Sequence, residues 1–254
     1  NLTIKSSGYV IDSQCFGPPL ALSRGMNATR MLLGFSFILA SIALMPAHAA
    51  AATATKLPAL ERQRLAHVRE LLGNVYGRSV VRMAEKMGDV KKVLLRQVAD
   101  RLQGDWKKQS DAIARTIASE SKLHGFDPIF LYAVIENESS FNPLVRGTSG
   151  EVGLMQVTPE TAKWVSKKYH IAYRGPSSLK DPVTNIRIGA AYLSHLRKVF
   201  DSHSRLYLAA YNMGAKNVDR ALARQIWPKE YASRVMERYV RIYRGIASGE
   251  ADGS

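Results

Sequence analysis

Glu138 ends an apolar stretch that begins at Pro128, and two polar motifs follow it: Gly153-Leu154-Met155-Gln156 and Ala210-Tyr211-Asn212-Met213-Gly214. One carboxylate at the end of an apolar helix with two polar, sugar-sized motifs downstream, in order over about eighty residues, is a set that rarely arises by chance, whereas any one of them alone is weak evidence. Asp127-Pro128 reads as an N-cap followed by proline at the first helical position, which predicts a helix from Pro128 to about Ser139, ended by Asn142-Pro143. In that helix Leu131, Val134, Ile135 and Glu138 fall at i, i+3, i+4 and i+7, so Glu138 points toward the core side. Lost solvation and the negative end of the helix dipole both disfavour its ionised form. A carboxyl that keeps its proton near neutral pH is what a general acid requires.

The competing reading is a partly buried glutamate held by a hydrogen bond or an arginine, and this helix taken alone favours it. The two downstream motifs reverse that balance. Glu136 lies about 200° around the helix from Glu138 and is expected to be a solvated surface charge. Glu151 follows the loop Gly147-Thr148-Ser149-Gly150 and could approach the site, but a paired-carboxylate mechanism has no clear second partner in the sequence. Gly153 should let backbone come close to a ligand.

The three motifs resemble those of the soluble lytic transglycosylases, lysozyme-like enzymes within the goose-type lysozyme superfamily that cut the glycan strands of peptidoglycan. The likeness runs over roughly residues 108–245. It implies a mostly α, lysozyme-like domain with a glycan-binding groove. It further implies that Glu138 first protonates the glycosidic oxygen and then takes the proton of the 6-hydroxyl of the same N-acetylmuramic acid. The product is a 1,6-anhydro sugar, with the substrate's own N-acetyl group stabilising the intermediate. By the same resemblance Gln156 contacts the sugar beside the cleaved bond and Met155 helps wall the groove, whereas Leu154 reads better as core. Tyr211 is the hydroxyl partner of the substrate near Glu138, Asn212 holds the turn, and Tyr231 belongs to the groove. The family often has a hydroxyl residue where this chain has Gly147 and a methionine where it has Thr158. Ser149, with Thr148, is the candidate to supply the first of those contacts.

Other chemistries find little support. The only cysteine, Cys15, precedes the expected mature chain, which removes thiol catalysis, disulfides and cysteine-based zinc sites. The six histidines form no His-Glu-x-x-His pattern, and neither a phosphate-binding glycine loop nor a Gly-x-Ser-x-Gly elbow is present. No metal and no cofactor are called for. Two alternatives to the transglycosylase remain: a non-catalytic envelope-binding or secretion-assembly scaffold of the same fold, and a hydrolytic lysozyme.

Residues 26–49 read as a signal peptide, with Met26 and Arg30, an apolar run from Met31 to Met45, and Ala47-His48-Ala49 as the cleavage site. The run is shorter than the ~20 residues of a membrane anchor, so export to the periplasm with no integral span in the mature chain is expected. Residues 1–25 begin with Asn1 and are read as upstream or non-native sequence, a genuine extension being the alternative. Residues 1–49 carry three basic residues and one acid, so the formal charge of +15 falls to +13 on their removal. A chain this basic suits acidic partners. Peptidoglycan strands and envelope or secretion-system proteins are the expected ones; no nucleic-acid-binding signature accompanies the charge.

The elements that must position these residues are all helical. Residues 50–107 form a basic, interrupted helical region, either a partner-docking unit or packing against the transglycosylase-like domain. Within that domain, 108–246, helices are expected at 109–124, 128–139, 159–169, 182–200, 204–213, 216–224 and 228–246. Residues 247–254 form a loose tail.

Overall fold

Three acceptor-proline pairs start three helices as their chemistry dictates. Asp127 Oδ1 accepts from the Ile129 N–H at 2.8 Å, Thr158 Oγ1 from the Thr161 N–H at 3.2 Å and Asp181 Oδ2 from the Thr184 N–H at 2.8 Å. Each therefore satisfies an N–H that its helix leaves unpaired. The structure, a computed structural model, describes residues 58–84 and 90–248. The expected extension and leader at 1–49, Cys15 and the tail beyond Ser248 lie outside the described residues.

The described residues are mostly α, with no strand longer than isolated bridges joining Val152 to Arg146 and Val157. The order is α1 (Ala59–Leu72), α2 (Val80–Ala84), α3 (Val90–Arg101), α4 (Ser110–His124), α5 (Pro128–Ser139), α6 (Pro159–Tyr169), α7 (Pro182–Val199), α8 (Ser204–Met213), α9 (Ala215–Ala223) and α10 (Glu230–Ala247). From α4 onward these match the expected spans to within one or two residues, the ordinary scatter of helix ends. No described helix is long and apolar enough to cross a membrane.

α5 is the central element. Every residue from Ile129 to Glu136 is buried, because α4, α10 and α3 all pack against it. The helix stops before Asn142-Pro143: Ser140 and Phe141 both take left-handed backbone, at φ 50° and 63°. Two successive non-glycine residues there are strained. Burial of Phe141 against Tyr132, ring centroids 4.6 Å apart, helps hold the bend.

The N-terminal helices share this core. Val68, Leu71 and Leu72 of α1, Val81 of α2, and Val93, Leu94 and Val98 of α3 join the same cluster as the later helices. Of the two readings of this region, packing is what the described residues display. Polar ties reinforce it. Arg64 on α1 donates to Asp127 Oδ2 at 2.9 Å, Tyr243 donates to the same oxygen at 2.7 Å, and His67 Nδ1 accepts from the Asp127 N–H at 3.0 Å. Arg197 of α7 pairs with Glu70 of α1. The N-terminal end of α5 is thus anchored by α1 and α10.

Candidate active site

Glu138 lies one residue before the end of α5, half-buried. It faces a cleft of about 320 Å³ lined by Gly147, Thr148, Glu151, Gln156, Tyr192, Tyr211 and Asn212, among others, within the range of small-molecule sites. Its Oε1 accepts a short hydrogen bond from the Tyr231 hydroxyl at the start of α10. Burial pushes the carboxyl up and the Tyr231 hydrogen bond pulls it down. The charge of Glu151 raises it again and Arg234 lowers it, with a net rise to about 7. At that value the group can both hold and release a proton near neutral pH.

The loop from Val145 to Val157 forms one wall and is tied down from several sides. Ser139 Oγ, next to Glu138, donates to the Leu154 carbonyl at 2.8 Å. Asn185 on α7 accepts from the Met155 N–H at 2.7 Å and donates to the carbonyls of Val152 and Leu179 at 2.8 and 3.0 Å. Gln156 has left-handed backbone, φ 46°, and its amide nitrogen donates to the carbonyls of Val145 and Gly153. Gly153, at φ 82°, does not make room for a ligand as expected. A Cβ there would stand 2.5 Å from both Asn185 Nδ2 and the Leu179 carbonyl, so its open side is filled by the Asn185 clamp.

The candidate residues divide between the cleft and its support. Gln156, Tyr211 and Asn212 line the cleft with Glu138. Tyr211 donates its hydroxyl to the Met155 carbonyl at 2.8 Å, which joins α8 to the loop. Met155 needs correction as a groove wall. It is fully buried, and its sulfur lies 2.6 Å from where a Cβ on Gly189 would stand, so its side chain packs into α7. Tyr231 is also buried and stands behind Glu138 rather than on the open surface. The Ser149 side chain is exposed, and its backbone N–H donates to Glu151 Oε2 at 2.9 Å.

Glu136 is the clearest departure from expectation. It is 4% exposed rather than solvated, and it pairs with Arg101 of α3 at 2.6 Å and with Arg241 of α10. The opposite face of α5 is therefore covered by cations, not water. Two further participants were not singled out in the sequence. Tyr192 on α7 lines the cleft and packs against Tyr211, centroids 5.6 Å apart. Asn185 interrupts the apolar stripe of α7 between Pro182, Ile186 and Gly189, and a polar residue on a buried face is the signal that would have pointed to it. Among the described residues no three His, Cys, Asp or Glu side chains gather as metal ligands would.

Residues 115–233 match the family described as Transglycosylase SLT domain. A soluble lytic murein transglycosylase of Salmonella typhimurium is 40% identical over 90 residues, 35% of this chain and 14% of that protein. A putative soluble lytic murein transglycosylase of Haemophilus influenzae is 36% identical over 95 residues, 37% of this chain and 16% of that protein. The chain thus spans a small part of the length of these relatives. Among solved structures, an inactive mutant of the lytic transglycosylase Slt of Pseudomonas aeruginosa aligns at 26% identity with a TM-score of 0.47, covering 76% of this chain and 37% of that one. The match over residues 115–233 makes this stretch, which holds Glu138, Gln156, Tyr211 and Tyr231, a member of the transglycosylase SLT domain family.

Proposed function

We propose that this protein is a peptidoglycan lytic transglycosylase that cleaves the β-1,4 bond between N-acetylmuramic acid and N-acetylglucosamine without consuming water. The observation that carries the reading is Glu138: a cleft carboxyl, bonded to a tyrosine hydroxyl, whose pKa is raised to about 7. The names of relatives over the same stretch, soluble lytic murein transglycosylases, support it. The proton of Glu138 passes to the glycosidic oxygen, the bond from that oxygen to C1 of N-acetylmuramic acid breaks, and N-acetylglucosamine leaves with a free 4-hydroxyl. The Glu138 carboxylate then takes the proton of the 6-hydroxyl as that oxygen bonds to C1. A 1,6-anhydro end forms and Glu138 is protonated again. Gln156, Tyr211 and Asn212 are the substrate-binding residues of this proposal, within a lysozyme-like glycan groove.

Such a substrate lies outside the inner membrane, so the same reading has the protein exported, with the periplasm as its place of work and acidic envelope surfaces as partners for its basic chain. One observation favours a second reading, hydrolysis: Glu151 puts another carboxylate in the cleft. Digestion of purified sacculi in water labelled with heavy oxygen separates the two. Unlabelled 1,6-anhydro ends are expected, and label at most new reducing ends would make the protein a hydrolytic lysozyme.

A further inference from the structure

Glu151 lines the cleft of Glu138, and its carboxylate is seated rather than loose. The Ser149 N–H donates to its Oε2 at 2.9 Å, and its own carbonyl accepts from the Gly147 N–H at 2.9 Å, which closes the loop 147–151 into a tight ring. The carboxylate lies in the space that a side chain at position 147 would occupy. A Cβ on Gly147 would strike it, coming within 2.9 Å of Cδ, and would stand 3.1 Å from Gln156 Oε1. Gly147 does not have left-handed backbone, so a larger residue there would meet no backbone strain but would have to displace the seated carboxylate. The seat opens on the cleft that Glu138 also lines.

Resting on the transglycosylase reading, we propose that Glu151 is a positioning residue for the cleavage: its seated carboxylate puts a second negative charge in the cleft of Glu138 and so sets the pH range over which Glu138 acts as an acid. The other groups facing Glu138 divide by sign. From α10, the Tyr231 hydroxyl donates to it and the Arg234 cation favours its ionised form. From α8, Tyr211 feels the Glu138 charge, and Tyr192 of α7 stands beside Tyr211. Arg101 and Arg241 are occupied by Glu136 on the far side of α5. Glu151 is thus the carboxylate among these neighbours, and its charge opposes that of Arg234.

Two variants of the full chain alter this seated charge in different ways. Glu151→Gln neutralises it in place, and Gly147→Ala displaces it from its seat. Two readouts apply: the alkaline fall of kcat/KM on purified sacculi, and the titration midpoint of Glu138 followed by carboxyl NMR in protein labelled at glutamate. Glu151→Gln should move both midpoints to lower pH by roughly half a unit to one unit, the scale of one nearby charge at a partly solvated site, and Gly147→Ala, which unseats the charge without removing it, should move them by less. The double variant should move them no further than Glu151→Gln alone. An unchanged Glu138 midpoint in Glu151→Gln overturns the proposal. The NMR titration does not depend on turnover, so a wild-type protein that releases no muropeptides refutes the transglycosylase reading while the titration still decides the electrostatic one. Heavy-oxygen label incorporated by wild type and lost in Glu151→Gln would make Glu151 a base acting on water, and would also overturn the positioning role.

Discussion

Glu136 and Glu138 stand two residues apart on one helix, and the structure treats them in opposite ways. Glu136 is buried and clasped by Arg101 and Arg241. Glu138 faces the cleft, and its bonded partner is a tyrosine hydroxyl instead of a guanidinium. A buried carboxylate surrounded by cations has its desolvation offset by Coulomb attraction and serves packing. A carboxyl desolvated without such pairing rises in pKa and becomes useful as an acid. The difference between a structural and a chemical glutamate here lies in the helices that cover each face of α5.

The sharpest way to break this comparison is to remove each acid in turn. Glu138→Gln keeps the side-chain shape but cannot cycle a proton. Muropeptide release should fall by roughly 10²–10⁴-fold, with the circular dichroism spectrum and sacculus binding retained. Activity within a few-fold of wild type would remove Glu138 from the chemistry. Glu136→Gln should do the reverse. It leaves two arginines without their carboxylate, and because those side chains are 38% and 53% exposed the loss should be about 1–3 kcal/mol, less than for a fully buried pair. Thermal denaturation should show a Tm lower by at least about 2–4 °C, with muropeptide release per folded molecule little changed. An unaltered Tm would mean that water screens the pair completely.

The same raised pKa makes a stability claim. Glu138 goes from an ordinary 4.5 to about 7 in the folded protein, so the folded state prefers the protonated carboxyl. No cost is felt below about pH 4.5; the cost grows as pH rises toward 7 and is constant above it. It amounts to at most about 3 kcal/mol, allowing for partial exposure. Glu138→Gln should therefore be more stable than wild type at pH 8 and equal to it at pH 4, measured as urea midpoints. A gain of the same size at both pH values would show that the amide packs better and that ionisation is not the cause.

How far the sequence leads depends on how local the cause is. Asp127-Pro128, Thr158-Pro159 and Asp181-Pro182 predict three helix starts because a cap and the residue it serves are neighbours in the chain. Ala210 to Gly214 likewise predicts a helix end, and Gly214 closes α8 at φ 83°. The surroundings of α5 are not local. Arg241 is 105 residues from Glu136 and Tyr231 is 93 residues from Glu138. Helical periodicity assumes one buried face, and on a helix buried all round it assigns the second face to water by default. Met155 departs from expectation for a related reason: the motif that contains it is polar in company, but the pocket in α7 opened by Gly189 takes its side chain inward. Gly147 is the converse case, since its space is claimed by a side chain four residues later, a contact that only folding of the loop reveals.

The finest test concerns the partner that distinguishes Glu138 from Glu136. Tyr231 donates to the ionised carboxylate and so holds the pKa of Glu138 below where burial alone would put it. Tyr231→Phe removes that donor and preserves the ring, which is buried and has Arg234 lying 5.8 Å from its centroid. The Glu138 midpoint should rise, and the alkaline fall of kcat/KM should move to higher pH by roughly half a unit to one unit, the equivalent of a hydrogen bond of about 1 kcal/mol. This shift is opposite in sign to that expected for Glu151→Gln. The two substitutions together should return the midpoint near the wild-type value if donor and charge act independently on one carboxyl. A fall in activity with no movement of the midpoint would instead mean that the Tyr231 hydroxyl fixes the rotamer of Glu138 without setting its acidity.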